Sequence, residues 1–336
     1  MIRDAIQRTV DRQDLSRAEA QQVMQEIMEG VASDVQIAAL LIGLRMKGET
    51  VDEISGFAQV MREKVVRIRP VVTNLVDTCG TGGDSTGTFN VSTTTAFVVA
   101  GAGVSVAKHM NRSISSQCGS ADVLEALGVK FETGPEAMAN AIEQVGIGFL
   151  FAPMLHPAMK YAMPTRKELR VRTVFNILGP LTNPAFAPTQ LLGVFDARLT
   201  ETLANVLANL GSIRALVVHG AGGLDELSTL GDTRVSELRD GNVKSYTVNP
   251  AGFGLSLAKL DDLKGGSPAE NAKILKDVLN GDQGPRRDIV LLNAAAALTA
   301  AGKVADIASG LLVAADSIDS GAALGKLNRL REFTHD

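Results

Sequence analysis

At Pro70 the hydrophobic period of this chain changes, and a chain that changes period there must build two kinds of layer. Before Pro70, apolar residues recur at helical spacing, Val23, Ile27 and Met28, then Ile37, Leu40, Leu41 and Leu44. Helical segments open on a hydroxyl followed three residues later by Glu or Gln: Ser16 with Glu19, Ser33 with Gln36, Thr50 with Glu53. At that spacing the side chain of each residue satisfies the other's orphan amide at a helix start. Gly30 and Gly48 follow the first two segments as C-terminal caps. Residues 1–70 are therefore predicted to form a small all-helical domain.

From Asn74 onward, short apolar runs alternate with helical stretches. Residues 104–107, 148–151, 191–195 and 215–218 read as buried strands, and 197–210 as a helix with Leu199, Leu203, Val206 and Leu210 on one face. Residues 235–248, centred on Asp240-Gly241, read as a hairpin of edge strands, and helices rich in alanine return from residue 270. The pattern predicts an α/β sheet covered by helices. Between these parts, 156–188 carries Pro157, Pro164, Pro180, Pro184 and Pro188 with the basic cluster Lys160, Arg166, Lys167, Arg170 and Arg172. Proline restricts the backbone, so this reads as a rigid crossover between domains, although a solvated basic face accounts for the charges equally well.

A length of 336 residues allows one large or two modest domains, and 45% apolar with 21% charged residues excludes disorder for most of the chain. Lys and Arg number 33 against 37 Asp and Glu, a net charge of −4 that argues against broad contact with nucleic acid or anionic lipid. Cys79 and Cys118 are too few for a disulfide framework or a four-thiolate metal site and fit a reducing compartment. The start lacks the apolar core of a signal peptide, and no run approaches the ~18 apolar residues that span a bilayer. A cytoplasmic location without membrane partners is expected.

Asp77-Thr78-Cys79-Gly80-Thr81-Gly82-Gly83-Asp84 follows the apolar Leu75-Val76 and precedes a helix opened near Ser92. Glycines at such a junction let main-chain amides approach an anion, so a phosphate cradle is predicted, although tight turns need glycine for steric reasons alone. Asn90-Val91-Ser92-Thr93 adds hydroxyls at the helix start, where simple capping is the alternative. The run after 104–107 delivers Lys108, Asn111 and Arg112 to the same end of the sheet, followed by Ser113, Ser115, Ser116 and Ser120. Two cations beside a run of hydroxyls suit a polyphosphate. Asp225-Glu226 would repel that ligand unless a cation lay between, and Mg2+ bridges carboxylates to phosphates in this way; a solvated acidic surface is the other reading. Neither a Walker A lysine pattern nor a Gly-x-Gly-x-x-Gly turn with a downstream acid occurs.

The joint order of Gly80-Thr81-Gly82-Gly83-Asp84, Asn90-Val91-Ser92-Thr93, 108–116, Gly119-Ser120-Ala121-Asp122, 172–184 and Asp225-Glu226 resembles the anthranilate phosphoribosyltransferase family from end to end. The resemblance implies transfer of the phosphoribosyl group from phosphoribosyl pyrophosphate to the amino nitrogen of anthranilate, in tryptophan biosynthesis. It implies a fold of the nucleoside phosphorylase type, a small helical domain hinged to a larger α/β domain with a mostly parallel sheet, and a homodimer. The small domain would be 1–70 completed by part of 156–188, and the large one 71–155 with 189–336. By position, Gly80, Gly83, Asp84, Thr88, Asn90, Val91, Ser92, Thr93, Lys108, Ser115, Ser116 and Ser120 would hold the donor. Ser92, Asp225 and Glu226 would hold Mg2+, and Gly80, Asn111 and Arg166 would meet anthranilate, with Lys108, Asn111 and Arg166 in the catalytic roles.

Two departures from the family pattern stand out. Met110 replaces a glycine, which predicts strain of about 1 kcal/mol if its φ is positive, or a narrowed acceptor pocket if it is not; Met110→Gly is then expected to lower the acceptor's Michaelis constant. Arg170 replaces a glycine before Val171. Two rivals remain. A pyrimidine nucleoside phosphorylase on the same scaffold would leave Asp225-Glu226 without purpose, and a non-catalytic nucleic-acid-binding relative would need a basic groove.

Overall fold

The computed structural model describes residues 1–83, 86–112 and 118–335; the predicted donor residues Asp84, Ser115 and Ser116 lie outside the described residues. Four helices come first: α1 (Ile2–Val10), α2 (Arg17–Met28), α3 (Asp34–Lys47) and α4 (Val51–Lys64). The predicted capping boxes all form, at Ser16 with Glu19, Ser33 with Gln36 and Thr50 with Glu53. Glu53 is fully buried yet well partnered. Its carboxylate accepts from the Thr50 amide at 2.8 Å and the Leu15 amide at 2.9 Å and pairs with Lys47 at 3.0 Å, tying the start of α2 to α4.

The sheet strands are β1 (Leu75–Gly80), β2 (Ser105–Met110), β3 (Ile147–Phe151), β4 (Thr189–Gly193), β5 (Arg214–Gly220), β6 (Thr233–Arg239) and β7 (Asn242–Val248). Their spatial order is β3-β2-β1-β4-β5-β6-β7. The first five run parallel and the last two antiparallel, as an edge hairpin closed by Asp240 and Gly241 at positive φ. The helices between strands are α5 (Val91–Gly101), α6 (Ser120–Ala126), α7 (Pro135–Gln144), the short α8 (Ala152–Leu155), α9 (Met163–Leu169) and α10 (Phe175–Leu178), then α11 (Leu199–Asn209). The chain ends in α12 (Pro268–Leu279), α13 (Pro285–Ala300), α14 (Ile307–Asp319) and α15 (Ala322–Phe333).

One apolar cluster lies under α5, α12, α13 and α15 on one face of the sheet. A second joins the inner faces of α1 to α4 to α10, α11 and the opposite sheet face through Leu192, Val194, Leu203 and Val217, and a smaller third gathers Ala107 and Leu150 with Met138 and Ile142 of α7. Residues 156–188 form no strand. They fold as short helical turns whose Ala162, Val174, Phe175 and Ile177 enter the same cluster as the first four helices.

Two expectations are corrected. Asp77 to Gly80, read as the start of the glycine turn, belong to β1, and the turn begins at Thr81. A central parallel strand tolerates Asp77 because its carboxylate accepts from the His109 amide at 3.2 Å and from Gln190 Nε2 at 3.4 Å. Met110 is the last residue of β2, is absent from the positive-φ positions, and buries its side chain in the large core cluster opposite Phe151. A glycine there would open a core cavity, and the expected gain in acceptor affinity loses its basis. Arg170 does occupy a left-handed position, with φ 51° at the C-cap of α9, where glycine is the unstrained residue.

A candidate phosphate and cation site at the switch point of the sheet

β1 and β4 are neighbours whose onward connections run to opposite sides of the sheet, toward β2 and toward β5. Loops diverge at such a point and leave a crevice beyond the strand ends. Gly80 ends β1 directly beside Gly193 at the end of β4. Asp225 explains both glycines: a Cβ at Gly80 would meet its carboxylate, and a Cβ at Gly193 would meet its carbonyl. The Gly82 amide donates to Asp225 Oδ2 at 2.7 Å. Gly82 and Gly83 then turn the chain at φ 66° and 75°, where other residues are strained. The Thr81 amide donates to the Gly193 carbonyl at 2.9 Å, and its hydroxyl accepts from the Phe195 amide at 3.1 Å.

Lys108 reaches this place from inside the protein, buried on β2. Its Nζ donates to the Thr78 carbonyl and, at 3.1 Å, to Ser92 Oγ. Burial lowers its pKa, and the negative charges of Asp77, Glu226 and Asp225 oppose that shift. Burial likewise raises the Asp77 carboxyl, with Lys108 opposing. Ser92, Asp225 and Glu226 line one small cavity together with Thr78, Thr95 and Asn293. The cavity holds about 10 Å³, room for one water-sized particle. Two carboxylates and a hydroxyl are hard oxygen donors of the kind Mg2+ accepts while keeping water and phosphate oxygens in its other positions, so these residues fit that ion. Among the described residues no group of three or more His, Cys, Asp and Glu could hold a metal, so a zinc-like cage is not formed there.

Asn293 is a residue the sequence reading missed. From α13 its Oδ1 accepts from the Leu227 amide at 2.9 Å, while Nδ2 donates to the Leu227 carbonyl at 2.8 Å and to the Ile289 carbonyl at 2.8 Å. This buried amide fixes the turn that carries Asp225 and Glu226. The available signal was a lone polar residue within the apolar run 289–298.

The other predicted donor residues are spread along the same edge. Thr88 makes an isolated antiparallel bridge with Lys264, and Ser120 opens α6. Asn90 spends its amide on the protein itself, Nδ2 donating to the Cys118 carbonyl at 3.2 Å and Oδ1 accepting from Asn271 at 2.9 Å. Val91 and Thr93 are buried in α5. Arg112, expected as a second cation for phosphate, is held instead by Asp122 at 3.1 Å and Glu125 at 2.9 Å. A different cation reaches the glycine turn: Arg172 donates to the Gly83 carbonyl and lies 4.5 Å over the Phe195 ring. Both cysteines are buried thiols, and burial raises the pKa of each, so neither is poised as a nucleophile.

Of the residues expected to meet the acceptor, Asn111 leaves the end of β2 exposed, its Oδ1 accepting from the Arg112 amide at 2.8 Å. Arg166 stands on α9 with its guanidinium 5.2 Å over Phe175, and burial lowers its pKa. No hydrogen bond joins Arg166 to Asn111 among the described residues. A second feature missed from the sequence, and one that had no signal there, is a buried histidine pair. His109 Nδ1 lies 3.0 Å from the Gly179 carbonyl, which can only accept, so Nδ1 carries the proton and Nε2 is bare. The His156 Nε2–H then donates to it at 3.2 Å. His109 therefore has no lone pair to spare as a proton acceptor. Burial lowers both rings, His156 to about 4, and the charge of His156 further opposes protonation of His109.

The unfolded chain takes up a proton at His156 near pH 6.5, whereas the folded protein resists it to about pH 4. Stability is complete above pH 6.5 and is lost as pH falls toward 4, by about 3 kcal/mol for this group. His156→Asn is expected to flatten the pH dependence of the denaturation midpoint between pH 6.5 and 4. Equal slopes for both proteins would contradict a buried neutral pair.

The chain matches the glycosyl transferase family, helical bundle domain, over residues 3–65 and the glycosyl transferase family, a/b domain, over residues 72–324. It is 56% identical over 334 residues to the anthranilate phosphoribosyltransferase of Desulforamulus reducens, covering 99% of this chain and 97% of that one. The crystal structure of anthranilate phosphoribosyltransferase from Thermus thermophilus superposes with a TM-score of 0.94 at 46% identity, covering 99% of this chain and all of that one. The enzyme from Saccharomyces cerevisiae in complex with PRPP and Mg gives 0.90 at 28% identity, covering 99% of this chain and 98% of that one. With both layers matched in order and one crevice between β1 and β4 gathering glycine turn, lysine and acids, the chain belongs to the anthranilate phosphoribosyltransferase family.

Proposed function

We infer that this protein transfers the phosphoribosyl group of phosphoribosyl pyrophosphate to the amino nitrogen of anthranilate and releases pyrophosphate, a step of tryptophan biosynthesis. The observation that carries the reading is the meeting of Gly80, the glycine turn after it, Ser92, Lys108 and Asp225-Glu226 at one end of β1 and β4. As the bond from the anomeric carbon to pyrophosphate stretches, negative charge grows on the leaving group. Lys108 is assigned to that charge, because an ammonium already held by the Thr78 carbonyl and Ser92 Oγ needs little reorganisation to meet it. Gly80, Gly83, Thr88 and Ser120 are assigned to the donor along the same edge. Mg2+, held by Ser92, Asp225 and Glu226, would supply neutralisation of the diphosphate; the yeast relative was solved in complex with PRPP and Mg, which supports the presence of that ion.

The aryl amine of anthranilate is neutral at pH 7 and needs no strong base before attack, so the remaining task is to hold it in line. Asn111 and Arg166 are assigned to it, and a guanidinium stripped of water by burial gains the more from a substrate carboxylate. Purified protein with Mg2+ and phosphoribosyl pyrophosphate is expected to consume anthranilate, read as loss of its fluorescence. Unchanged fluorescence under those conditions would overturn the assignment.

Residues 1–70 with part of 156–188 are assigned to one unit that closes on the rest, within a cytoplasmic homodimer. Support for the dimer is apolar surface on the helical unit, where Val35 and Met46 are 78% and 72% exposed. Sedimentation is expected to give a species of twice the 35.3 kDa chain mass, and a monomer at micromolar concentration would sink this part.

A further inference from the structure

Within α5, Ser92 and Thr95 stand one turn apart, three residues along the same helical face, and both line the small cavity that Asp225 and Glu226 share. Thr95 is completely buried, and its Oγ1 has no hydrogen-bond partner among the described residues. The adjacent Thr94 resolves the same problem by donating to the Asn90 carbonyl at 2.9 Å, the usual escape for a hydroxyl within a helix. Thr95 does not take it. Two other threonines, Thr93 and Thr229, also carry buried hydroxyls without partners among the described residues, but neither lines this cavity. A buried hydroxyl finds a protein partner or an ordered water in nearly every folded structure, and the space next to Thr95 admits one water-sized particle beside two carboxylates.

We propose that Thr95 is a further oxygen of the cation site, its hydroxyl holding a water that belongs to the shell of the divalent ion gripped by Ser92, Asp225 and Glu226. The proposal rests on the assignment of the ion to those three residues. Mg2+ gives up its waters reluctantly and is held through them as much as by direct ligands, so a hydroxyl behind the carboxylates adds affinity without touching substrate. Thr95 is then a positioning residue for the ion and has no part in bond making.

The test is Mn2+ binding to the whole protein without substrate, read by water proton relaxation for the wild type, Thr95→Val, Thr95→Ser and Asp225→Asn. Thr95→Val is expected to weaken Mn2+ binding about tenfold, the scale of one lost hydrogen bond, while Thr95→Ser stays near wild type. Without metal, Thr95→Val is expected to melt no lower than wild type, because an apolar group of the same shape replaces an unsatisfied hydroxyl. Thr95→Val binding Mn2+ within twofold of wild type overturns the proposal while leaving the three-residue site intact. Asp225→Asn binding like wild type overturns the site itself and the proposal with it. If Thr95→Val does not fold, Thr95→Ala gives the same comparison, with retained affinity again counting against the idea.

Discussion

Lys108→Met is expected to lower kcat about a thousand-fold, a loss of about 4 kcal/mol of transition-state stabilisation, with a much smaller rise in the Michaelis constant for phosphoribosyl pyrophosphate. The asymmetry follows from where the ammonium sits. It is fixed by Thr78 and Ser92 before any ligand arrives, next to the cavity that the acids line, so its charge is worth most when the leaving group's charge is greatest. The same substitution has a structural consequence that must be separated from the chemical one. Lys108 is the positive charge that opposes the upward shift of the buried Asp77 carboxyl, and without it Asp77 protonates more readily and the fold loses stability. Combining Lys108→Met with Asp77→Asn is expected to restore the melting temperature and leave kcat low. Steady-state anthranilate consumption with a denaturation curve for each variant distinguishes the two effects, and a kcat within tenfold of wild type would remove Lys108 from the leaving-group role.

What the sequence made legible here was whatever is encoded over a few residues. The capping boxes at Ser16, Ser33 and Thr50 formed because hydroxyl and carboxamide or carboxylate are already at the spacing the helix start requires. The hairpin at Asp240-Gly241 and the glycine turn after β1 are equally local. The order of motifs named Gly80, Ser92, Lys108 and Asp225-Glu226 together, and the structure gathers them at the ends of β1 and β4, but nothing in the sequence says how they are held. Gly80 looks like a turn residue in sequence and Gly193 like any residue of a buried strand, yet both are clearance for Asp225, which lies far along the chain from Gly80 and reaches it through sheet topology. His156 pairs with His109 because β2 and β3 are neighbours, a fact no local pattern contains. Met110 was misread for the complementary reason. Met110 is the last residue of β2 and its side chain enters the large core cluster, whereas Asn111 has already left the strand and is exposed, so adjacency in the chain does not put the two in one pocket. Arg112 was a cation by composition and an ion-paired one by structure, since Asp122 and Glu125 come to it on α6.

Asn293→Ala carries the other large expected effect, because one side chain satisfies both polar groups of Leu227. Removing it leaves the Leu227 amide and carbonyl buried without their partner, at a cost of about 3 kcal/mol in stability. Asp225 and Glu226 immediately precede Leu227, and Asp225 is packed against Gly80 and Gly193 with no room for a Cβ between them, so a released turn cannot drift without moving the carboxylates. A displacement of about 1 Å in a catalytic group is enough for a loss of about a hundredfold in kcat/KM. General destabilisation would lower activity at every metal concentration alike. Loss of the clamp is expected instead to raise the Mg2+ concentration giving half-maximal rate, and saturating Mg2+ should recover most of the activity at a temperature where the variant is still folded. Asn293→Gln keeps the amide but lengthens its reach, so it should fall between the two. An unchanged Mg2+ requirement in a folded Asn293→Ala protein would mean that the acidic turn is held by its packing against β1 and β4, with Asn293 serving only the fit of α13 to the sheet.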